Sequence, residues 1–426
     1  MRIIIFLLLL IPFTSSASED LKAFIKKQFP RAEIKSSDAK YHYRFQYEVT
    51  IQQWIDHDDH SKGTFPQRIF LSHYLKAAPM LMVTEGYNAG PRHYELTEIL
   101  TSNQLIVEYR FFGKSKPEQV DYTYLTNAQA MEDLHRINKA FKKFYKKEWI
   151  STGISKGGTT CMYYKATYPR DVRVAIPYVA PLPNAREDKR TEALIATVGD
   201  DACRQNLFAF QQHALSIQDS LLAYAQKDKE ENNLTFNRIE GLEKAIEYAI
   251  LEYTFSFWQM GHDCSDIPTN KSAKATYKSI KNIVGIDFYS DGVIAFYEPA
   301  FYQFMKENGY YGFMHKHLEE GIKHVKAYDN SIFAPQNVDL TYDPSYNNWV
   351  KKRLDAKAKR MLIIQGEYDP WGALTYKPLD ENKVKLFVKE GGSHRVRIKD
   401  FSNQEQKDIY NVLSTWLKAD IKPLKS

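Results

Sequence analysis

The alternation of apolar and polar positions changes character twice along the chain. Residues 40–54, "KYHYRFQYEVTIQQW", are rich in Tyr, Phe, Val and Ile and read as one strand or two. Further short apolar runs follow at 67–75, 79–86 and 104–109, with a helix expected near 93–101. Residues 127–147 carry apolar side chains at helical spacing among strong helix formers. "WISTGISKGG" is a strand that breaks into glycine, and the helix after it stops at Pro169. Another strand fills 172–181. Strands alternating with helices predict an α/β fold, a mostly parallel sheet with helices on both faces. After Pro183 that rhythm gives way to long polar helical stretches. It resumes at "RMLIIQGEYDP" (360–370), continues through "VKLFVKEGGSH" (384–394) and ends in a helix over 402–418. The expected organisation is a leader at 1–17, a first catalytic part at 18–184, an inserted helical cap at 185–350 and a second catalytic part at 351–426.

The leader is expected from pattern alone. Met1-Arg2 precedes the apolar run "IIIFLLLLIPF" (3–13), and small residues follow up to Ala17. This is the layout of a secretory signal, too short to span a bilayer comfortably. The expected location is therefore secreted or periplasmic. Export permits disulfides. Of the three cysteines, Cys161 reads as a free core thiol. Cys203 and Cys264 can pair, and the sequence leaves open whether they do.

Composition narrows the picture only slightly. Hydrophobic residues make up 43% and charged residues 26%, with a net charge of +6 over 426 residues. The Lys residues are scattered, and no zinc-finger or basic-region spacing accompanies them, which argues against nucleic acid. No second stretch approaches membrane-spanning length. The 29 tyrosines suggest large mixed-polarity surfaces such as a lined cleft.

The candidate chemistry starts at Gly153-Ile154-Ser155-Lys156-Gly157, a G-x-S-x-G pattern placed between a strand and a helix. There a serine sits on a sharp turn, with glycines relieving the crowding. Serine needs a base and an orienting acid, which follow it in the order Ser, Asp or Glu, His in such sheets. Asp369 stands just after the strand "MLIIQG", and His394 just after "VKLFV". Glu367 is the rival acid. The oxyanion needs two backbone N–H donors, expected from Lys156 and from Tyr87, with Gly86 as the alternative, in "EGYNAG". Glu85 is either a structural carboxylate at that turn or part of the substrate site. The grouping Asp56, His57, Asp58, Asp59, His60 resembles a metal site, but a serine triad needs no metal, and no motif requires a cofactor. Arg110 is expected to brace loops around the site.

"TGISKGGTT", "YVAP", "VTEGYN", "YRFFGKSKP" and "QWIDHDDHSKGTFPQR" together resemble the bacterial prolyl tri- and tetrapeptidyl aminopeptidases. That family is related to Pro-Xaa carboxypeptidase and dipeptidyl peptidase II. The resemblance implies an α/β-hydrolase fold, the triad Ser155, Asp369 and His394, and release of short peptides from free N-termini after proline. A carboxylesterase or a Pro-specific carboxypeptidase on the same triad is the alternative. An enzyme that measures from an N-terminus needs a fixed carboxylate for the ammonium. Glu85 and Glu298 are the candidates, with Trp258, Phe257, Tyr297 and Trp371 as aromatic walls for proline. Peptides are the expected partners; the sequence does not specify an oligomeric state.

Overall fold

The structure is a computed structural model, and it describes residues 12–421. The expected leader's apolar run falls largely outside these residues, and its expected cleavage point after Ala17 lies within the first helix, α1 (Pro12–Gln28). From Leu21 and Ile25 onward α1 is anchored in the core.

Nine strands form one sheet: β1 (Glu33–Ser37), β2 (Phe45–Trp54), β3 (Thr64–His73), β4 (Met80–Thr84), β5 (Asn103–Val107), β6 (Trp149–Ile154), β7 (Val174–Tyr178), β8 (Met361–Gly366) and β9 (Val384–Lys389). The spatial order is β1-β2-β3-β5-β4-β6-β7-β8-β9. The first three strands and β5 are joined by antiparallel pairing, while β5, β4 and β6–β9 run parallel. Parallel strands need crossovers, supplied by α2 (Glu95–Leu100), α3 (Asn127–Phe141) and α4 (Lys156–Thr167). β4 shows why its sequence reads as an unbroken apolar run. Met80 and Met82 enter the core on one face, Leu81 and Val83 the core on the other. The second face is closed by α2 and the last helix, α12 (Asn403–Leu417), through Leu96, Ile99, Ile409 and Leu413.

Between β7 and β8 the chain forms α5 (Arg190–Ile195), α6 (Asp201–Ser216), α7 (Gln218–Glu231), α8 (Leu242–Met260), α9 (Ala273–Ile283), α10 (Asp291–Gln303) and α11 (Ser345–Lys357). α8 is the axis of this insert: every residue from Ala245 to Trp258 is buried. Residue 350, where the sequence suggested the insert ends, lies inside α11. That helix packs against α4, where Asn347 accepts a hydrogen bond from the Tyr163 hydroxyl at 2.5 Å.

Cys203 in α6 and Cys264, just past α8, form a disulfide across a separation of 61 residues. Among the described residues, the grouping of potential metal ligands comprises Asp200 and these two cysteines, whose sulfurs bond each other. Chain-entropy reasoning assigns a loop of this size about 4 kcal/mol. Reduction should therefore lower the unfolding free energy by about 2–4 kcal/mol, read as a lower urea midpoint for the reduced than for the oxidised protein. An unchanged midpoint would show that the insert holds together without the bond. Cys161 is free and fully buried, and burial pushes its thiol up to about 11.

Candidate active site

Ser155 caps the N-terminus of α4 at φ +58° and ψ −127°, immediately after β6. A non-glycine residue in that region is strained, and the surroundings explain how the strain is held. A Cβ on Gly153 would collide with the Gly157 carbonyl, and one on Gly157 would lie 2.7 Å from the Thr84 oxygen. The two flanking glycines thus let the turn close against β4. The Ser155 N–H donates to the Tyr178 carbonyl at 2.9 Å, and the Ser155 carbonyl receives the Thr159 N–H at 2.9 Å, locking the turn to β7 and α4.

Asp369 is fully buried just beyond β8. Its Oδ2 lies 2.7 Å from Nδ1 of His394, which follows β9. A carboxylate only accepts, so Nδ1 carries the proton, and Nε2 is left as the basic nitrogen. Two further donors hold Asp369: Gln365 Nε2 on Oδ2 at 2.9 Å and the Trp371 N–H on Oδ1 at 3.1 Å. The Gln365 amide is itself oriented by the Thr375 hydroxyl on its Oε1 at 2.8 Å. The insert reaches this loop, because the His394 N–H donates to the Gln259 carbonyl in α8 at 2.9 Å. Glu367, the rival acid, is exposed and accepts the Gly391 N–H at 2.8 Å.

Ser155 borders a narrow pocket with Tyr87, Pro181, Phe304, Tyr310 and Trp371 among its walls. Tyr87 and Lys156, the two expected oxyanion residues, both border it. The Lys156 N–H occupies the first turn of α4, where no intrahelical acceptor exists. Its side chain is buried. Burial lowers its pKa against the pull of Glu307, and burial raises that of Glu307. Of the expected substrate-binding side chains, Trp371 is on the wall, and Glu85, Glu298, Phe257, Trp258 and Tyr297 are not. Glu298 is paired with Arg238 at 2.7 Å and with the Tyr122 hydroxyl at 2.9 Å, so its charge is already met within the protein. Glu85 is buried behind the turn and accepts from the Tyr94 hydroxyl at 2.7 Å.

Arg110 is fully buried. It donates from Nε and Nη2 to Asp133 at 2.7 and 2.8 Å, and from Nη1 to the carbonyls of Ile55 and Tyr124. His57 joins the same Asp133 at 2.7 Å. These groups tie the end of β2, the end of β5 and α3 together, a structural use of His57 rather than a metal site.

Sequence reasoning missed Phe304, Tyr310 and Pro181 as pocket walls. Pro181 follows a strand end, the place where ligands sit in such sheets, so a signal was present. Phe304 belongs to the π-helical turn Phe304–Asn308, which sequence periodicity does not reveal. Also missed was Glu252 in α8, buried and bonded only to hydroxyls, Tyr311 at 2.8 Å and Ser256 at 3.0 Å. Burial pushes its carboxyl up to about 7.

The chain is similar to known proteins in sequence and in fold. A prolyl tri/tetrapeptidyl aminopeptidase of Streptomyces mobaraensis is 34% identical over 355 residues, covering 81% of this chain and 74% of that protein. A putative serine protease of Caenorhabditis elegans is 27% identical over 153 residues, 31% of this chain and 30% of its own. Among solved structures, a proline iminopeptidase of Mycobacterium smegmatis aligns with 87% of this chain and 97% of its own, at 12% identity and a TM-score of 0.40. The family model for PS-10 peptidase S37 matches residues 27–397, nearly the whole described chain, and the chain belongs to that family of serine peptidases.

Proposed function

We propose that the protein is an exported serine exopeptidase that releases tri- and tetrapeptides from free N-termini, cutting after proline. The observation that carries the reading is the strained Ser155 at the mouth of an apolar pocket, with buried Asp369 bonded to half-buried His394 at neighbouring strand ends. Ser155 Oγ attacks the scissile carbonyl while His394 Nε2 takes its proton. Asp369 holds the ring and stabilises the imidazolium that forms. The N–H groups of Lys156 and Tyr87 receive the oxyanion at the positive end of α4. His394 then protonates the leaving amine, and water releases the acyl group by the reverse sequence.

The substrate reading follows from the pocket's chemistry. A proline ring has no N–H and presents apolar faces, which suit walls made of Trp371, Tyr310, Phe304 and Pro181. The insert acts as a cap that restricts entry to chain ends. For the ammonium we favour Glu252 over Glu298 and Glu85. Among the described residues it has no basic partner, and although it does not line the Ser155 pocket itself, it accepts from Tyr311, whose ring centroid lies 5.2 Å from that of the wall residue Trp371. Export is supported by the leader pattern and by the disulfide, which persists in oxidising compartments.

The test is a pair of chromogenic Ala-Ala-Pro-type amides, one with a free and one with a blocked amine. The free form should be cleaved at least about 100-fold faster at equal concentration, the worth of a desolvated charge pair. Glu252→Gln should remove most of that preference. Equal rates for both substrates in the wild type would favour the carboxylesterase or carboxypeptidase alternative.

A further inference from the structure

The backbone N–H of Lys156 can serve the oxyanion whatever its side chain is. Yet the side chain carries an amine, a group that becomes an ammonium on protonation, and it is 3% exposed. A residue that merely filled this space would be apolar, because a charge is costly to bury without compensation. The compensation is specific. Nζ lies 3.7 Å from the centre of the Tyr109 ring, and 5.8 and 5.9 Å from the centres of Phe112 and Tyr87. Cation–π attraction is strongest when the cation is desolvated, as here. The carboxyl that acts on it is Glu307, in the π-helical turn that also lines the Ser155 pocket through Phe304 and Asn308. Glu307 is itself fixed by the Asn127 N–H at 2.8 Å, and Asn308 by the Asn127 amide at 2.6 Å.

Two elements therefore meet on this one side chain, the loop carrying Tyr87 and the turn after β5, and the wall at 304–308 borders the same pocket as Lys156. The loop is close enough that a Cβ on Gly86 would lie 2.7 Å from the Lys156 Cβ. Tyr87 also passes the contact on, packing edge to face against Phe112 and Tyr297 at 5.7 Å each. We infer that the Lys156 ammonium is a positioning residue for the oxyanion hole: it clamps the Tyr87 loop to the nucleophile turn, and Glu307 couples that clamp to the pocket wall that receives the substrate. The inference rests on Ser155 being the nucleophile and on Lys156 and Tyr87 supplying the oxyanion donors.

The variants are Lys156→Met, Lys156→Arg, Glu307→Gln and the Lys156→Met/Glu307→Gln pair, assayed for kcat, KM and melting temperature on the free-amine chromogenic peptide. Misplacing one oxyanion donor costs on the order of 100-fold in kcat. Lys156→Met should therefore lose about 10- to 100-fold in kcat with KM within about threefold, because the clamp acts on the transition state. Lys156→Arg should recover part of the loss, since a guanidinium also stacks on aromatic faces. Glu307→Gln should lose several-fold in kcat. The double variant should be no worse than Lys156→Met, the signature of two groups acting through one contact.

Wild-type kcat in Lys156→Met would overturn the proposal, as would equal losses in the Met and Arg variants at an unchanged melting temperature. If Lys156→Met does not fold, Glu307→Gln decides: unchanged kcat overturns the proposal and a kcat loss at constant KM supports it. Ser155→Ala separates the two layers. Activity surviving that change would refute the nucleophile assignment itself, whatever the Lys156 series reports.

Discussion

Ser155→Ala should lower kcat on a prolyl peptide amide by about a millionfold while leaving the melting temperature within a few degrees of wild type. The size follows from the mechanism. The acyl-enzyme cannot form without Oγ, and what survives is the catalysis supplied by the oxyanion donors and by binding. The stability expectation is the more informative half. Ser155 sits at φ +58°, and alanine at that φ keeps the same Cβ, so it relieves none of the backbone strain. Its structural anchors are the main-chain bonds to Tyr178 and Thr159, which alanine also keeps. Loss of activity should thus come with a folded protein that binds substrate. Labelling by a serine-reactive fluorophosphonate checks the same point independently. Wild type should label with one equivalent and Ser155→Ala should not. A variant that still labels and still cleaves would move the nucleophile elsewhere.

The parts of the catalytic region that the sequence made legible are those buried on both faces. β4, β6, β7 and β8 are short apolar runs because each neighbouring layer demands apolar side chains, and turn residues bracket them. Their order then placed Ser155, Asp369 and His394 at carboxyl ends of the same sheet. β1 was not legible. Its five residues, Glu-Ile-Lys-Ser-Ser, form an exposed edge strand with only Ile34 packed inward, so neither alternation nor an apolar run marks it. The helix expected over 127–147 stops at Phe141; after it the chain turns through Lys142–Tyr145, a change that Lys-rich helical spacing does not announce.

The substrate side was the least legible, for a physical reason. Pocket walls come from Pro181, Phe304, Tyr310 and Trp371, which are distant in sequence and are brought together only when the insert folds back on the sheet. Glu298 looked available because it lies in an aromatic stretch. Its guanidinium partner, Arg238, is 60 residues away and carries no local sign of the pairing. Glu252 shows the converse. It occurs inside an apolar helix, where a carboxylate breaks the pattern, and that break was the one signal that could have singled it out.

Asp369→Asn should cost about 10⁴-fold in kcat, and here the substitution is less conservative than its shape suggests. Both carboxylate oxygens of Asp369 are acceptors for fixed donors: Oδ1 for the Trp371 N–H, Oδ2 for Gln365 Nε2 and His394 Nδ1. An asparagine offers one acceptor and one donor. If its oxygen faces Trp371, the amide NH₂ confronts both Gln365 and His394, and the imidazole must present a bare Nδ1. The proton then moves to Nε2, where the base should be free. If the amide is flipped, the NH₂ opposes the Trp371 N–H, and that buried donor goes unsatisfied. Gln365 cannot rotate to help, because Thr375 holds its oxygen. Either arrangement adds a structural penalty of about 1–3 kcal/mol for the unpaired buried group, so the kinetic loss should come with a lower urea midpoint. Glu367→Gln is the control. Glu367 is exposed and accepts only the Gly391 N–H, a bond that glutamine's oxygen can keep, so its kcat should stay within about twofold of wild type. The reverse ranking, an active Asp369→Asn beside a crippled Glu367→Gln, would transfer the acid's role to Glu367.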